Sequence, residues 1–347
     1  MDESNLITKI VDKELIFLLG AGASADAGMP TVAELTIELR KGLQQLQDKD
    51  GTYRPEFSQI FELIESCDKS VGTNYERFFE WIHLLLKVQK EPFRNLIKIN
   101  VNSSLVEAMA ELTLVIGGEI ARLLESYKTE PNYLTRLVDF LPPSRRLKVF
   151  GLNYDCCLED ACYDVGINLT TGFDPVKKNW NPSLFHESSK GINLYKLHGS
   201  LRWLGTRDTS LPNDRFHYNL VIMELKPEGR QHLPSCINVT SKPVLILGPG
   251  SKVQPDDPFL TLLYEFQRSL RQTKVCIIIG YSHNDDHINK IIGQAFDLGA
   301  LTILDVNPGQ RTNNYLGNRY HHLPLCAKSA LVNGSIISEL ESLQCDL

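Results

Sequence analysis

Five short segments of this 347-residue chain place small, polar and titratable residues at the ends of apolar runs. The first is Gly20–Ala–Gly–Ala–Ser–Ala–Asp–Ala–Gly–Met–Pro30, directly after Leu15–Leu19. Glycines at 20 and 22 let a chain turn tightly and approach a pyrophosphate, whose charge suits the amide-rich start of a helix. The spacing departs from G-x-G-x-x-G, because Gly28 follows Gly22 by six residues instead of three. The second segment, Gly151–Leu–Asn153–Tyr–Asp155, sets an amide and a carboxylate two residues apart where a strand gives way to a helix. That is the edge open α/β sheets use for ligands, although Asp155 reads equally as a helix N-cap. The third, Leu197–His198–Gly199–Ser200, offers an imidazole, a group that exchanges protons near neutrality, left unobstructed by the following glycine. The fourth runs from Ile277 through Gly280, Ser282 and Asp286 as a strand, a Gly-x-Ser turn and a helix start. Such a turn supplies small side chains and amides to a dinucleotide. The fifth is Leu304–Asp305–Val306–Asn307–Pro308, again a strand end.

In this order, from Gly20 to Pro308, the segments resemble the NAD-binding motifs of the sirtuins. The resemblance implies that the first loop wraps NAD+ through Gly20, Ala21, Gly22, Ser24, Gly28 and Pro30. It implies that Asn153 and Asp155 line the nicotinamide-ribose pocket and that His198 is the catalytic histidine. Gly280, Ser282 and Asp286 would meet the dinucleotide, and Asn307 the adenosine ribose. The chain is more similar to the zinc-free prokaryotic branch used in anti-phage defence than to the protein deacylases. The deacylase zinc module follows the His-Gly pair and needs two cysteine pairs, whereas Leu201 to Ser241 holds only Cys236. His283 and His287 stand four apart, but Asn284 follows His283 where H-E-x-x-H carries its base, so no metal is expected.

The expected activity is hydrolysis of the nicotinamide–ribose bond of NAD+. Asn153 would orient ribose or water, Asp155 would favour developing positive charge, and His198 would take a proton. The resemblance further implies NAD+ depletion in an infected cell, with a HerA-like ATPase as a candidate partner. A deacylase or ADP-ribosyltransferase would use the same pocket plus a cleft for a second substrate. A non-catalytic NAD or ADP-ribose-binding subunit would have no use for the imidazole. Lys196 and Arg202 read equally as surface charges, which leaves the choice between NAD and NADP open.

These residues need a frame. Six apolar runs end in Gly, Asn or Pro signals: Leu15–Gly20, Leu147–Asn153, Ile192–Gly199, Pro243–Gly250, Lys274–Gly280 and Leu301–Pro308. Runs such as VCIIIG lack polar alternation, as parallel strands buried on both faces do. Helical patterns follow at Asp155–Val165 and Asp285–Leu298, predicting a Rossmann-like, doubly wound parallel sheet. Residues 31–141 carry helix signals instead and read as an insertion into a catalytic domain of residues 1–30 and 142–347. Thr73–Glu76 and Ser104–Glu107 have the spacing of capping boxes. The first precedes Phe78, Trp81, Ile82 and Leu85 at helical spacing; the second opens a stripe from Leu105 through Met109, Leu112, Ile116 and Ile120 to Leu124. Trp81, Leu86 and Tyr127 exceed what one core is expected to bury, which suggests a homo-oligomer.

Charge and composition narrow the classes. Lys+Arg 36 against Asp+Glu 42 leaves a net charge of −6, unsuited to a broad grip on nucleic-acid phosphate or anionic lipid. A hydrophobic fraction of 42% with 22% charged residues is globular in character. The longest apolar-rich stretch, Leu105 to Leu124, contains Glu107, Glu111, Glu119 and Arg122 and is too polar to span lipid. The acidic start Met1–Asp2–Glu3 is unlike a signal peptide, and the eight cysteines form no C-x-x-C pair. A cytoplasmic location with reduced thiols is expected.

Overall fold

A computed structural model of the chain describes residues 15–47, 51–89, 103–143, 145–207, 220–225, 239–247, 257–299, 301–309 and 317–343. The chain folds as two compact units, one of Met1–Met29, Thr129–Thr240 and Val253–Leu347, the other of Pro30–Lys128 with Ser241–Lys252. Its strands are β1 (Leu15–Leu19), β2 (Leu147–Gly151), β3 (Leu169–Thr170), β4 (Ile192–Lys196), β5 (Gly199–Arg207), β6 (Leu220–Glu224), β7 (Val239–Leu245), β8 (Val275–Ile279), β9 (Thr302–Val306) and β10 (Tyr320–Leu323). The helices are α1 (Gly22–Ala25), α2 (Val32–Leu43), α3 (Glu56–Cys67), α4 (Tyr75–Val88), α5 (Ser103–Glu125), α6 (Cys157–Asp164), α7 (Phe259–Gln272), α8 (Asp286–Asp297), α9 (Ala327–Val332) and α10 (Ser335–Leu343).

Seven strands of the first unit form one sheet in the order β10-β9-β8-β1-β2-β4-β3, every neighbouring pair parallel. All five residues of β1, β4, β8 and β9 are buried. The register explains why. Phe17 pairs with Val149 and Leu18 with Phe150, so Phe17 and Phe150 point to opposite faces of the sheet. Phe17 meets Phe140 of the 3-10 helix Asn132–Phe140 at 5.1 Å between ring centres. On the other face Phe150 meets Phe266 of α7 at 4.9 Å and stacks on Tyr195 at 4.7 Å. Burying each such side chain contributes roughly 1.5–3 kcal/mol. From the adjacent strands β1 and β8 the chain continues to β2 on one side and to β9 on the other. This reversal is the topological switch point of a doubly wound, Rossmann-like α/β fold.

Several strand assignments differ from the apolar runs. Ile192–Gly199 does not run through as one strand: β4 stops at Lys196, and Gly199, at φ +92, lets the chain turn and restart as β5. There Trp203 pairs antiparallel with Glu224 of β6. The run at Pro243–Gly250 forms β7, ending at Leu245 and standing outside the seven-stranded sheet, while Gly248–Gly250 lie outside the described residues. β3 and β10 have two and four residues and no apolar run to announce them. The second unit begins at Pro30, and its first segment ends at Lys128. Residues after it fold with the sheet because Phe140 covers Phe17.

The second unit is built largely on α2 to α5. Its helix starts differ from the expected boxes. Asn74, not Thr73, caps α4, its side chain accepting from Glu76 N at 3.0 Å and Arg77 N at 3.3 Å, because Thr73 closes the preceding 3-10 turn. Ser104 lies inside α5, which has begun by Ser103. A capping box forms at the start of α2, where Thr31 N donates to Glu34 Oε2 at 2.8 Å and Thr31 Oγ1 accepts from Glu34 N. The α5 stripe is buried from Ala108 to Leu124. Trp81, Leu86 and Tyr127 are half-buried, not an apolar excess at the surface, and Trp81 donates its indole N–H to Asp68 at 2.8 Å. Among the described residues no helix is long and apolar enough to cross a membrane.

Candidate functional site at the carboxyl edge of the sheet

Val306, Ile279, Leu19, Gly151 and Lys196 stand in register across the sheet, each the last residue of its strand. All five motifs therefore leave the sheet at one level and on one edge. Asn307, Gly280, Gly20, Leu152 and Leu197 are the first residues beyond it.

Two of these exits interlock. Gly20 N donates to Ile279 O at 2.9 Å and Gly22 N to Gly280 O at 2.8 Å. A Cβ on Gly20 would lie 2.6 Å from Tyr281 Cα, and one on Gly22 would lie 2.7 Å from Gly280 Cα. Gly280 itself sits at φ +65, with Ala23 N only 2.3 Å from where its Cβ would be. The glycines thus serve the contact between the β1 and β8 turns, a role that the spacing alone does not show. Ala21 is the N-cap of the single-turn helix α1, on which Ser24 is buried. Gly28, at φ +99, is exposed, and Pro30 precedes the Thr31 cap.

The second motif closes onto the first. Asn153 Nδ2 donates to Gly20 O at 2.9 Å and to Ser24 Oγ at 3.1 Å, while Ser24 Oγ donates to Asp155 Oδ1 at 3.1 Å. Asp155 Oδ1 also accepts from Cys157 N at 3.0 Å, so the carboxylate holds the start of α6 as well as facing the loop. Beneath it lies a buried ion pair, Lys196 Nζ to Glu159 Oε1 at 2.8 Å, and Lys196 also donates to the Asp155 carbonyl. Burial works against the ammonium, but the charges of Glu159, Asp155 and their neighbours outweigh it and hold the Lys196 pKa above the usual lysine range. Lys196 is therefore no surface charge, and Arg202 pairs with Asp160. Burial, then the Asp155 charge, raises the Cys157 thiol far above its ordinary value, so a thiolate beside Asp155 is disfavoured.

The third motif is pinned alongside the second: Leu197 N donates to Gly151 O at 2.8 Å and Leu201 N to Tyr154 O at 3.0 Å. Between these anchors His198 is 6% exposed, and its Nε2 lies 3.1 Å from Asp285 Oδ2. The motif spacing points to Asp286 and not to Asp285, yet Asp286 is exposed on the first turn of α8, while Asp285 is the buried N-cap. The preference for Asp at an N-cap is the signal that favours Asp285, but two consecutive aspartates do not tell which one caps. Ser282 is exposed, and Asn307 uses its side chain to brace its own turn, donating to Tyr281 O at 3.1 Å and accepting from Gly309 N at 3.0 Å.

His283 and His287 do not act as a pair. His283 Nε2 turns to Asp305 Oδ2 at 3.1 Å, and Tyr320 donates to the same oxygen at 2.5 Å. Among the described residues no group of three or more His, Cys, Asp or Glu is placed to hold a metal ion. Six described cysteines are free thiols, and Cys236 lies outside the described residues.

Several solved structures resemble the chain at low identity. A Sir2 homologue in complex with NAD is 18% identical, with 98% of this chain and 95% of that one covered at a TM-score of 0.40. A Sir2 homologue mutant with 2′-O-acetyl ADP-ribose is 18% identical over 98% of both chains at 0.42. Another mutant with ADP-ribose is 17% identical over 100% of this chain and 99% of that one at 0.44. No curated protein sequence matches the chain. Residues 148–304, which carry Asn153, His198 and the Gly280 turn, match the model of the SIR2-like domain family.

Proposed function

We propose that this chain hydrolyses NAD+ to nicotinamide and ADP-ribose. The observation that carries the reading is the arrival of all five motifs at one level of one sheet edge, with Asn153 and Asp155 joined to the Gly20–Ser24 loop. The match of residues 148–304 to the SIR2-like domain supports the choice of NAD+ as substrate.

Nicotinamide in NAD+ is cationic and departs as a neutral molecule, so the C1′–N bond can break with its electron pair leaving on nitrogen. The site then has to favour an oxocarbenium-like ribose and admit water. Asn153 spends its N–H groups on Gly20 O and Ser24 Oγ, which turns Oδ1 towards a ribose hydroxyl or the water. The Asp155 carboxylate favours the positive charge that develops on the sugar. His198 accepts the water proton as the oxygen bonds to C1′, leaving ADP-ribose and one proton for solvent.

An enzyme of this kind would drain NAD+ from its own cell unless restrained. We place it in anti-phage defence, held in check as a homo-oligomer or by a HerA-like ATPase until infection. The test is to incubate the pure chain, alone and with such an ATPase, with NAD+ and to follow nicotinamide and ADP-ribose by chromatography. Equal release of the two without any acyl-peptide supports the reading; release only with an acyl-lysine peptide overturns it in favour of a deacylase.

A further inference from the structure

Asp285 is anchored on three sides. Its Oδ1 accepts from His287 N at 3.0 Å and Ile288 N at 3.3 Å, closing the first turn of α8. Its backbone N–H donates to the Tyr281 hydroxyl at 3.1 Å, and that hydroxyl stands 3.0 Å from Asn289 Oδ1 on the same helix. Asp285 is 5% exposed. The remaining oxygen, Oδ2, is the atom 3.1 Å from His198 Nε2. The contact is one of ion-pair distance; a carboxylate oxygen repels a lone pair placed there, which favours the imidazole form that carries its proton on Nε2. The lone pair is then on Nδ1.

We propose that Asp285 is the positioning residue of the site: it fixes His198 in the Nε2–H form and leaves Nδ1 as the nitrogen that takes the proton from water. The role of Nδ1 rests on the hydrolase reading above. The tautomer does not. When Nδ1 accepts the proton, the ring becomes an imidazolium with Asp285 beside it, its compensating charge already in place and needing no rearrangement. Because the same carboxylate caps α8, the orientation of the ring is tied to a helix and not to a loop.

Nitrogen-15 NMR of the imidazole, with His198 assigned through His198→Gln, reads the tautomer directly in the full chain. Wild type is expected to show one locked form, with the proton on Nε2. Asp285→Asn keeps a side-chain oxygen for the α8 cap, so the fold is retained, while its amide can donate to Nε2. That variant should move the proton to Nδ1 and lower kcat about 10²–10⁴-fold with little change in KM. A purely structural Asp285 would leave the tautomer unmoved. A wild-type ring that is Nδ1–H or an even mixture overturns the proposal, as does a folded Asp285→Asn chain with near wild-type kcat. A chain locked as Nε2–H that leaves NAD+ intact under every condition overturns the hydrolase reading and supports the positioning role alone.

Discussion

Asn153 donates its side-chain amide to the carbonyl of Gly20 at 2.9 Å across a sequence separation of 133 residues. One bond therefore ties the exit of β2 to the exit of β1. It also orients the amide, since a carbonyl can only accept, and so assigns Nδ2 to the loop.

Asn153→Ala should lower NAD+ cleavage at least about 10²-fold and, by freeing the Gly20 carbonyl and Ser24, cost about 1–2 kcal/mol of stability. Turnover and chemical denaturation measured on one preparation check both effects. His198→Ala should lose turnover equally while still binding ADP-ribose by calorimetry. A His198→Ala chain that hydrolyses NAD+ at the wild-type rate would falsify its role.

Gly280→Ala should be the most damaging single methyl group near the site. It must hold φ +65 and bring a Cβ against the Ala23 amide and the Gly22 backbone. Left-handed strain plus overpacking add to about 2–5 kcal/mol. Thermal melts should show the loss. Gly299→Ala, also left-handed at φ +91 but with nothing within 4 Å, isolates the strain from the clash and should cost about 1–2 kcal/mol.

Glu159→Ala should destabilise the first unit by about 3–5 kcal/mol, because it strands the Lys196 ammonium, only 2% exposed, without its carboxylate. Lys196→Met combined with Glu159→Leu should recover most of that loss. Denaturant midpoints decide the point, and a single variant within about 0.5 kcal/mol of wild type would show that the pair carries little.

Asp68 should make the second unit sensitive to acid. Hydrogen bonds from Ser70, then Trp81 and Arg77, hold its carboxyl well below the ordinary 3.8. A depressed folded pKa means that the stabilisation is complete above about pH 4 and is lost as pH falls from there towards the folded value. Asp68→Ala should therefore melt earlier than wild type at pH 7, with the gap closing between about pH 4 and pH 2. Trp81 fluorescence follows the transition, since its indole N–H donates to Asp68. A gap that stays constant across that range would remove Asp68 from the account.

The parallel sheet was legible because its signal is local. Uninterrupted apolar runs such as LIFLL and VCIII reveal strands covered on both faces, and the Gly, Asn and Pro residues after them mark where each strand must stop. The helix starts were legible less often. Thr73 and Asn74 are both capping residues, and the 3-10 turn that closes on Thr73 hands the cap to its neighbour. The Thr31 box follows the Gly20–Pro30 motif without a break, so its spacing is not set apart as a separate helix start.

By itself, the sequence determined that five polar segments follow five buried strands, because residue type and strand ends are read within a few positions. Only the tertiary structure decided how those segments meet. Strand order and register set the five exits at one level, put the glycines of two turns against each other, and buried Lys196 on Glu159. They also chose Asp285 over Asp286 as the partner of His198. Such choices depend on direction and burial, which belong to the packed chain: a one-residue difference at a helix cap turns one aspartate inward and leaves the next in water.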